Sequence, residues 1–172
     1  MCIRDRSCDD ADAGYYVPSP AQSSQAPCAA GSYQPDTGQT SCDDADVGYY
    51  VSTTAQSSQT ACLAGTYQPS TGQTSCDDAD AGYYVPSTAQ SSQTACLTGT
   101  YNPNTGSTVS TDCVDADVGY YVSSSAQSSQ TACAAGTYQA STGQSSCDDA
   151  DAGYYVPSSG QSSQTACAAG TY

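Results

Sequence analysis

The spacing of the cysteines constrains this chain more than any other feature. Ten of its eleven cysteines fall at positions 8, 28, 42, 62, 76, 96, 113, 133, 147 and 167, so the intervals alternate between 20 and 14, with one interval of 17 between Cys96 and Cys113. One long and one short interval together make the period, and a single three-residue insertion interrupts it. A fixed period of this size is the signature of a repeat array, in which one supersecondary unit is copied and each copy leans on its neighbours. The wording repeats too. Cys62-Leu-Ala-Gly-Thr-Tyr-Gln-Pro-Ser-Thr-Gly-Gln-Thr-Ser-Cys76 returns almost unchanged from Cys28 to Cys42 and from Cys133 to Cys147. A looser copy runs from Cys96 to Cys113, and another opens at Cys167. Between the copies lies a second phrase, Cys42-Asp-Asp-Ala-Asp-Val-Gly-Tyr-Tyr-Val51 through to Ala-Gln-Ser-Ser-Gln-Thr-Ala-Cys62. The repeats on this reading are 8–41, 42–75, 76–112, 113–146 and a truncated 147–172.

Residues 1–7 fit neither phrase. Met1-Cys2-Ile3-Arg4-Asp5-Arg6 is what the end of a DNA-library transposase adapter encodes, so we read it as a translated scar, with a genuine short N-terminus as the alternative, and exclude it from fold reasoning. Arg4 and Arg6 are the chain's only basic residues, and Asp5 is one of its 17 acidic ones. The repeats therefore carry all the other acidic residues and no basic one. We expect the chain to be a fragment that starts and stops inside repeats.

An ordinary hydrophobic core is out of reach. The chain has no Trp, Phe, Lys, His or Glu, and Ile, Leu and Val together make 12 of 172 residues. Such a composition with high net charge ordinarily means disorder, because burial cannot offset conformational entropy. Covalent staples change that balance, each short closed loop contributing roughly 3 kcal/mol. Cysteine used this way belongs to an oxidising compartment, so we expect an extracellular or cell-surface protein. The net charge of −15 argues against nucleic acid and anionic membrane as partners. Membrane attachment, if any, would come from an anchor outside residues 1–172.

Locally, both phrases read as hairpins. In the shorter one Thr66-Tyr67-Gln68 is extended, Pro69 presets a turn, Gly72 closes it in the left-handed region, and Gln73-Thr74-Ser75 returns, with Cys62 and Cys76 at the open end. In the longer one Gly48-Tyr49-Tyr50-Val51 is β-prone and Gln-Thr-Ala leads back to Cys62. Neither hairpin is stable alone. The expected fold is small, disulfide-rich and all-β: an elongated linear array of short stacked hairpins sharing a thin core of Tyr, Val and disulfide. The insertion follows the Pro-x-Thr-Gly turn, where added length is tolerated.

The pattern Cys-x-x-Gly-Thr-Tyr-Gln-Pro-x-Thr-Gly-Gln-Thr-Ser-Cys resembles the ephrin-receptor-type cysteine-rich repeat, distantly similar to growth-factor- and TNF-receptor modules, over residues 8–172. In that family each hairpin begins Cys-x-x-Gly-x-Tyr and ends in a Cys-x-x-Cys joint. Here every joint keeps one cysteine. Ala45 stands where the second would be and Gln59 where the first would be. The resemblance thus implies the pairs Cys28–Cys42, Cys62–Cys76, Cys96–Cys113 and Cys133–Cys147, with Cys8 and Cys167 pairing beyond the fragment. A rival scheme, Cys8–Cys28, Cys42–Cys62 and so on, uses all ten cysteines, and sequence does not decide connectivity.

Candidate chemistry is sparse. The carboxylate clusters Asp9/Asp10/Asp12, Asp43/Asp44/Asp46, Asp77/Asp78/Asp80, Asp115/Asp117 and Asp148/Asp149/Asp151 suit calcium in residue type, since calcium takes about six to eight oxygen ligands. Asp44-Ala-Asp46-Val-Gly48 resembles the start of a calcium loop but lacks the third Asp and the closing Glu. We expect solvated acidic joints and no metal or other cofactor, with calcium at these aspartates as the alternative. Zinc lacks its histidines and close cysteine pairs. Catalysis lacks every standard general base except Asp, so we expect no enzyme. In each pair Tyr15/Tyr16, Tyr49/Tyr50, Tyr83/Tyr84, Tyr120/Tyr121 and Tyr154/Tyr155, one ring should pack inward and one face water. Exposed rings would offer contacts to protein or glycan partners at a cell surface; the reading we favour instead is that both rings of a pair simply cover the disulfides. No Asn-x-Ser/Thr acceptor occurs, while the many Ser and Thr residues suit O-linked sugars.

The functional expectation is a structural or adhesive spacer or stalk within a larger surface or secreted protein. The alternatives are a receptor ectodomain segment that positions a ligand-binding domain, the spacer of a secreted multidomain enzyme, and a reduced, disordered intracellular chain, which the regular spacing argues against.

Overall fold

A computed structural model describes residues 9–170. Cys8 and the adapter-like residues 1–7 lie outside the described residues, as do the last two. Among the described residues the fold is almost entirely β: nine two-stranded antiparallel hairpins, small and stapled by four disulfides. The hairpins are β1–β2 (Tyr15–Tyr16, Ala26–Pro27), β3–β4 (Ser32–Tyr33, Asp43–Asp44), β5–β6 (Tyr49–Tyr50, Thr60–Ala61), β7–β8 (Thr66–Tyr67, Asp77–Asp78), β9–β10 (Tyr83–Tyr84, Thr94–Ala95), β11–β12 (Thr100–Tyr101, Val114–Asp115), β13–β14 (Tyr120–Tyr121, Thr131–Ala132), β15–β16 (Thr137–Tyr138, Asp148–Asp149) and β17–β18 (Tyr154–Tyr155, Thr165–Ala166).

The first strands begin at Tyr15, Ser32, Tyr49, Thr66, Tyr83 and Thr100, equally spaced along the sequence at half its repeat period. Each period therefore contains two hairpins of one size, not a longer and a shorter one. After Thr100 the three extra residues wind into a short 3-10 turn, Ser110–Asp112, and the same pitch resumes at Tyr120.

One strand lies elsewhere than the turn chemistry suggests. The return strand of the hairpin begun by Thr66–Tyr67 is Asp77–Asp78, with Thr66 opposite Asp78 and Tyr67 opposite Asp77. The expected return, Gln73-Thr74-Ser75, is not a strand. Its backbone bonds to other groups instead: Val51 N–H donates to the Gln73 carbonyl at 2.9 Å, and the Gln68 side chain donates to the Ser75 carbonyl at 2.9 Å.

By internal packing the chain divides into two units, one holding the residues up to Asp78 together with Ser87–Ser92, the other holding Ala79–Pro86 and the residues from Gln93 on. In the first unit each hairpin is bonded through backbone to the next: Gly14 N–H to Gln34, Gly31 N–H to Val51 and Gly48 N–H to Gln68, each at 2.8 Å. The second unit repeats the pattern with Gly82 to Asn102, Gly99 to Val122, Gly119 to Gln139 and Gly136 to Val156, at 2.8 to 2.9 Å. Two-residue strands offer too few ladder bonds to hold a hairpin, so these inter-hairpin bonds supply the cooperation that an isolated hairpin lacks.

The glycine in Gly-Tyr-Tyr is required by that stacking. Gly48 has φ +81°, and a Cβ there would run into the carbonyl of Ala89 at a hairpin tip of the same unit. The tip is itself strained: Ala89 sits at φ 59°, in the left-handed region.

The core is thin, as the composition demands; the expected valines and disulfide cysteines are in it, joined by alanines, and the expected tyrosines are not. Its buried apolar side chains are Cys28, Cys62, Cys96 and Cys133, alternating with Ala11, Ala45, Ala79 and Ala116, together with Val51, Val85, Val122 and Val156. The tyrosines of the first eight hairpins are half-buried and none is fully buried. Polar side chains complete the core. Gln34, Gln68, Asn102 and Gln139 are buried at the positions that Val51 and its equivalents occupy in the alternate hairpins. Each closes its own bonds; Gln68 donates to Ser75 and accepts from the Ser70 N–H at 3.1 Å. Among the described residues no buried side-chain polar atom lacks a partner, as expected where an orphaned group costs about 1–3 kcal/mol.

Candidate functional site

The chemistry-bearing residues gather at one place in each hairpin, its staple, and the staple comes in two kinds. In the first kind a disulfide joins Cys28 to Cys42, Cys62 to Cys76, Cys96 to Cys113 and Cys133 to Cys147, with Cα–Cα separations of 5.7, 5.8, 5.6 and 5.8 Å. These separations lie within the range that unstrained disulfides span. The first cysteine of each pair is buried and the second half-buried. Cys167, in the last hairpin, is half-buried and unpaired.

The second kind occupies the same place without cysteine. Ala45 lies one hairpin pitch before Cys62 and is fully buried like it, and Gln59 lies one pitch before Cys76. Gln59 grips the residue next to Ala45. Its Oε1 accepts the Asp46 backbone N–H at 2.7 Å and its Nε2 donates to Asp46 Oδ2 at 2.6 Å. The same two bonds join Gln25 to Asp12, Gln93 to Asp80, Gln130 to Asp117 and Gln164 to Asp151, at 2.5 to 2.7 Å. Every such pair is separated by 13 residues. One partner is a carboxylate, which makes the bond stronger than a neutral pair. Two bonds from one planar amide also fix its orientation. The sequence carries a signal for this clasp that residue type alone does not reveal: an Asp and a Gln at a constant separation in all five copies, including the fourth, where Val114 replaces the first Asp of the cluster.

The clasp accounts for much of the acidic clusters. In Asp43/Asp44/Asp46 the third carboxylate is taken by Gln59. Asp43 and Asp44 are neighbours on an exposed strand, so their side chains leave on opposite faces. Asp44 lies over the turn glycine of the next disulfide hairpin, where a Cβ on Gly72 would come within 3.5 Å of its carboxyl carbon. Asp10 and Asp115 stand in the same way over Gly38 and Gly143. Asp77/Asp78 and Asp148/Asp149 form the equivalent exposed strands, followed by the clasped Asp80 and Asp151. Among the described residues no three His, Cys, Asp or Glu side chains gather at the distance a metal ion requires.

The tyrosines differ from the expected one-in, one-out arrangement. Both rings of each pair are half-buried, except in β17, where Tyr154 and Tyr155 are 46% and 48% exposed. Tyr33 ionises above its usual value near 10, first because of partial burial and then because the Asp46 and Asp43 carboxylates oppose a phenolate beside them. A groove of about 260 Å³ lies among Tyr50, Leu63, Thr66, Ser75 and Cys76, open to solvent. Its one sulfur is locked in a disulfide.

No helix among the described residues is long and apolar enough to cross a membrane. No protein-family model matches the chain, and no curated protein matches it.

Proposed function

We propose that this chain is a structural segment of a larger surface or secreted protein, a disulfide-stapled spacer that sets distance and does no chemistry of its own. One observation carries the reading: hairpin after hairpin presents a glycine N–H to the next in one register, as Gly31 does to Val51 and Gly48 to Gln68. A unit bonded in this way can be extended by copying, with no new interface to invent, and its stability grows as a sum of hairpin and neighbour terms. Four disulfides support an extracellular setting, because such pairs persist in oxidising compartments. The Cys-x-x-Gly-Thr-Tyr pattern supports kinship with ephrin-receptor-type repeats. The half-buried tyrosines leave part of each ring exposed, which suits protein or glycan partners in an adhesive role.

Small-angle scattering on a series that adds one repeat at a time tests this. The expected result is a constant increase in maximum dimension per copy in oxidised protein, lost on reduction. Growth with the shallow exponent of a compact globule, or the broad distance distribution of a random coil in oxidised protein, overturns it.

A further inference from the structure

Tension travels along a chain by its shortest covalent route, and the disulfides define that route. It crosses from Cys28 to Cys42 through sulfur, follows residues 43–61, crosses from Cys62 to Cys76, follows residues 77–95, crosses from Cys96 to Cys113 and follows residues 114–132 to Cys133. The loops inside the disulfides bear no load. The segments between them do, and each contains one clasped hairpin: Asp46–Gln59, Asp80–Gln93 and Asp117–Gln130. Each clasp bridges 13 residues of its segment. While it holds, those residues are slack; when it parts they straighten.

From this alternation we propose that the chain is a stepwise extensible strap, in which Gln–Asp clasps part under tension and release hidden length while the disulfide hairpins stay shut. The proposal deepens the spacer reading and rests on it. The released length is bounded by covalent geometry. The span of one clasp extends to at most about 45 Å, and the stretch from Cys42 to Cys62 to about 70 Å. Recovery is built in as well. The shut hairpins keep both flanking partners of the opened one: the Gly31 N–H still awaits the Val51 carbonyl, and the Gln73 carbonyl still awaits the Val51 N–H. A clasp remakes two hydrogen bonds and needs no redox partner, so the extension is reversible where breaking a disulfide is not.

The test is to stretch the full chain by its ends in an optical trap, oxidised and at neutral pH. Expected is a series of separate steps, none longer than about 70 Å per hairpin, that reverse on relaxation. Reductant should then add about 50 Å for each of the shorter disulfide loops. The combined variant Q59L, Q93L and Q130L should lower the force of three steps, spare those of the Gln25 and Gln164 clasps, and leave every step length unchanged. The milder D46N, D80N and D117N set keeps the bond to the backbone N–H and should fall between. Peptide mapping of the four disulfides checks that each variant has folded. One cooperative rip, or variants with unchanged step forces, overturns the strap. A chain that steps in this way but whose dimension fails to grow with copy number overturns the spacer reading and leaves the strap standing.

Discussion

Gln59 holds Asp46 at both ends of the residue, accepting from its backbone N–H at 2.7 Å and donating to its carboxylate at 2.6 Å. One hairpin pitch further on, the position of Gln59 is filled by Cys76, disulfide-bonded to Cys62. One hairpin geometry is thus closed covalently and non-covalently in turn, and the first two predictions follow from that equivalence.

Gln59→Leu removes both clasp bonds and leaves the Asp46 N–H to water. Because the site is exposed, the loss should be modest, about 1 kcal/mol. Asp46→Asn keeps an acceptor oxygen and should cost less than that. Denaturant titration of the two variants beside the parent checks the order; equal stabilities for parent and Gln59→Leu would remove the clasp from the account of stability.

The double substitution Ala45→Cys with Gln59→Cys should form a disulfide spontaneously. Cys62 and Cys76, at the equivalent positions, lie with Cα atoms 5.8 Å apart, and Ala45 is buried as Cys62 is. The added short loop should contribute roughly 3 kcal/mol. Intact mass showing the loss of two hydrogens relative to the dithiol is the first readout. The second is a mapped peptide cross-linked between positions 45 and 59, with no reshuffling of Cys28–Cys42.

Gly48→Ala should be among the most damaging single changes. It places a side chain at φ +81° and drives its Cβ into the Ala89 carbonyl, so the expected loss is at least about 3 kcal/mol. Gly106→Ala is the control. Its φ of +67° is also left-handed, but a Cβ there meets nothing within 4 Å, so the loss should be near ~1 kcal/mol. Thermal unfolding of both separates stacking from backbone preference.

Tyr33 links stability to alkaline pH. Its folded ionisation lies above the usual value of 10.0, through burial first and the Asp46 and Asp43 charges second. The unfolded chain therefore gives up this proton more readily. The contribution is complete below about pH 10 and is lost as pH rises through the higher folded value. Tyr33→Phe should abolish this part of the alkaline decline. Spectrophotometric titration of tyrosinate in the parent and in Tyr33→Phe, with unfolding measured on either side of the usual tyrosine value, tests the sign.

Much of the fold is legible in the residues. The alternating intervals announce a repeat, Tyr49-Tyr50 and Thr66-Tyr67 announce strands, and Gly72 announces a left-handed turn, which it makes at φ +71°. Alignment with the chain's own disulfide hairpins puts Ala45 and Gln59 at the positions of Cys62 and Cys76. What takes the cysteines' place is not legible that way, because hydrogen bonds between a Gln and an Asp so far apart in the chain depend on the hairpin being formed. Residue type pointed the aspartates toward solvent or calcium; the geometry turns the last of each cluster toward a glutamine.

The position of the return strands shows the same division. By propensity Asp77-Asp78 is a poor strand and Gln73-Thr74-Ser75 a better one beside its turn. Yet Asp77–Asp78 pairs with Thr66–Tyr67, while the Gln73 carbonyl is bonded to Val51 of the preceding hairpin. Periodicity, covalent staples and the shortage of apolar residues are local or compositional facts, and the sequence alone determined from them a small, stapled, all-β array. Strand register and the equivalence of the two hairpins within each period were decided only in three dimensions. A two-residue strand carries too little preference of its own, and the neighbour that accepts its backbone bonds settles where it lies.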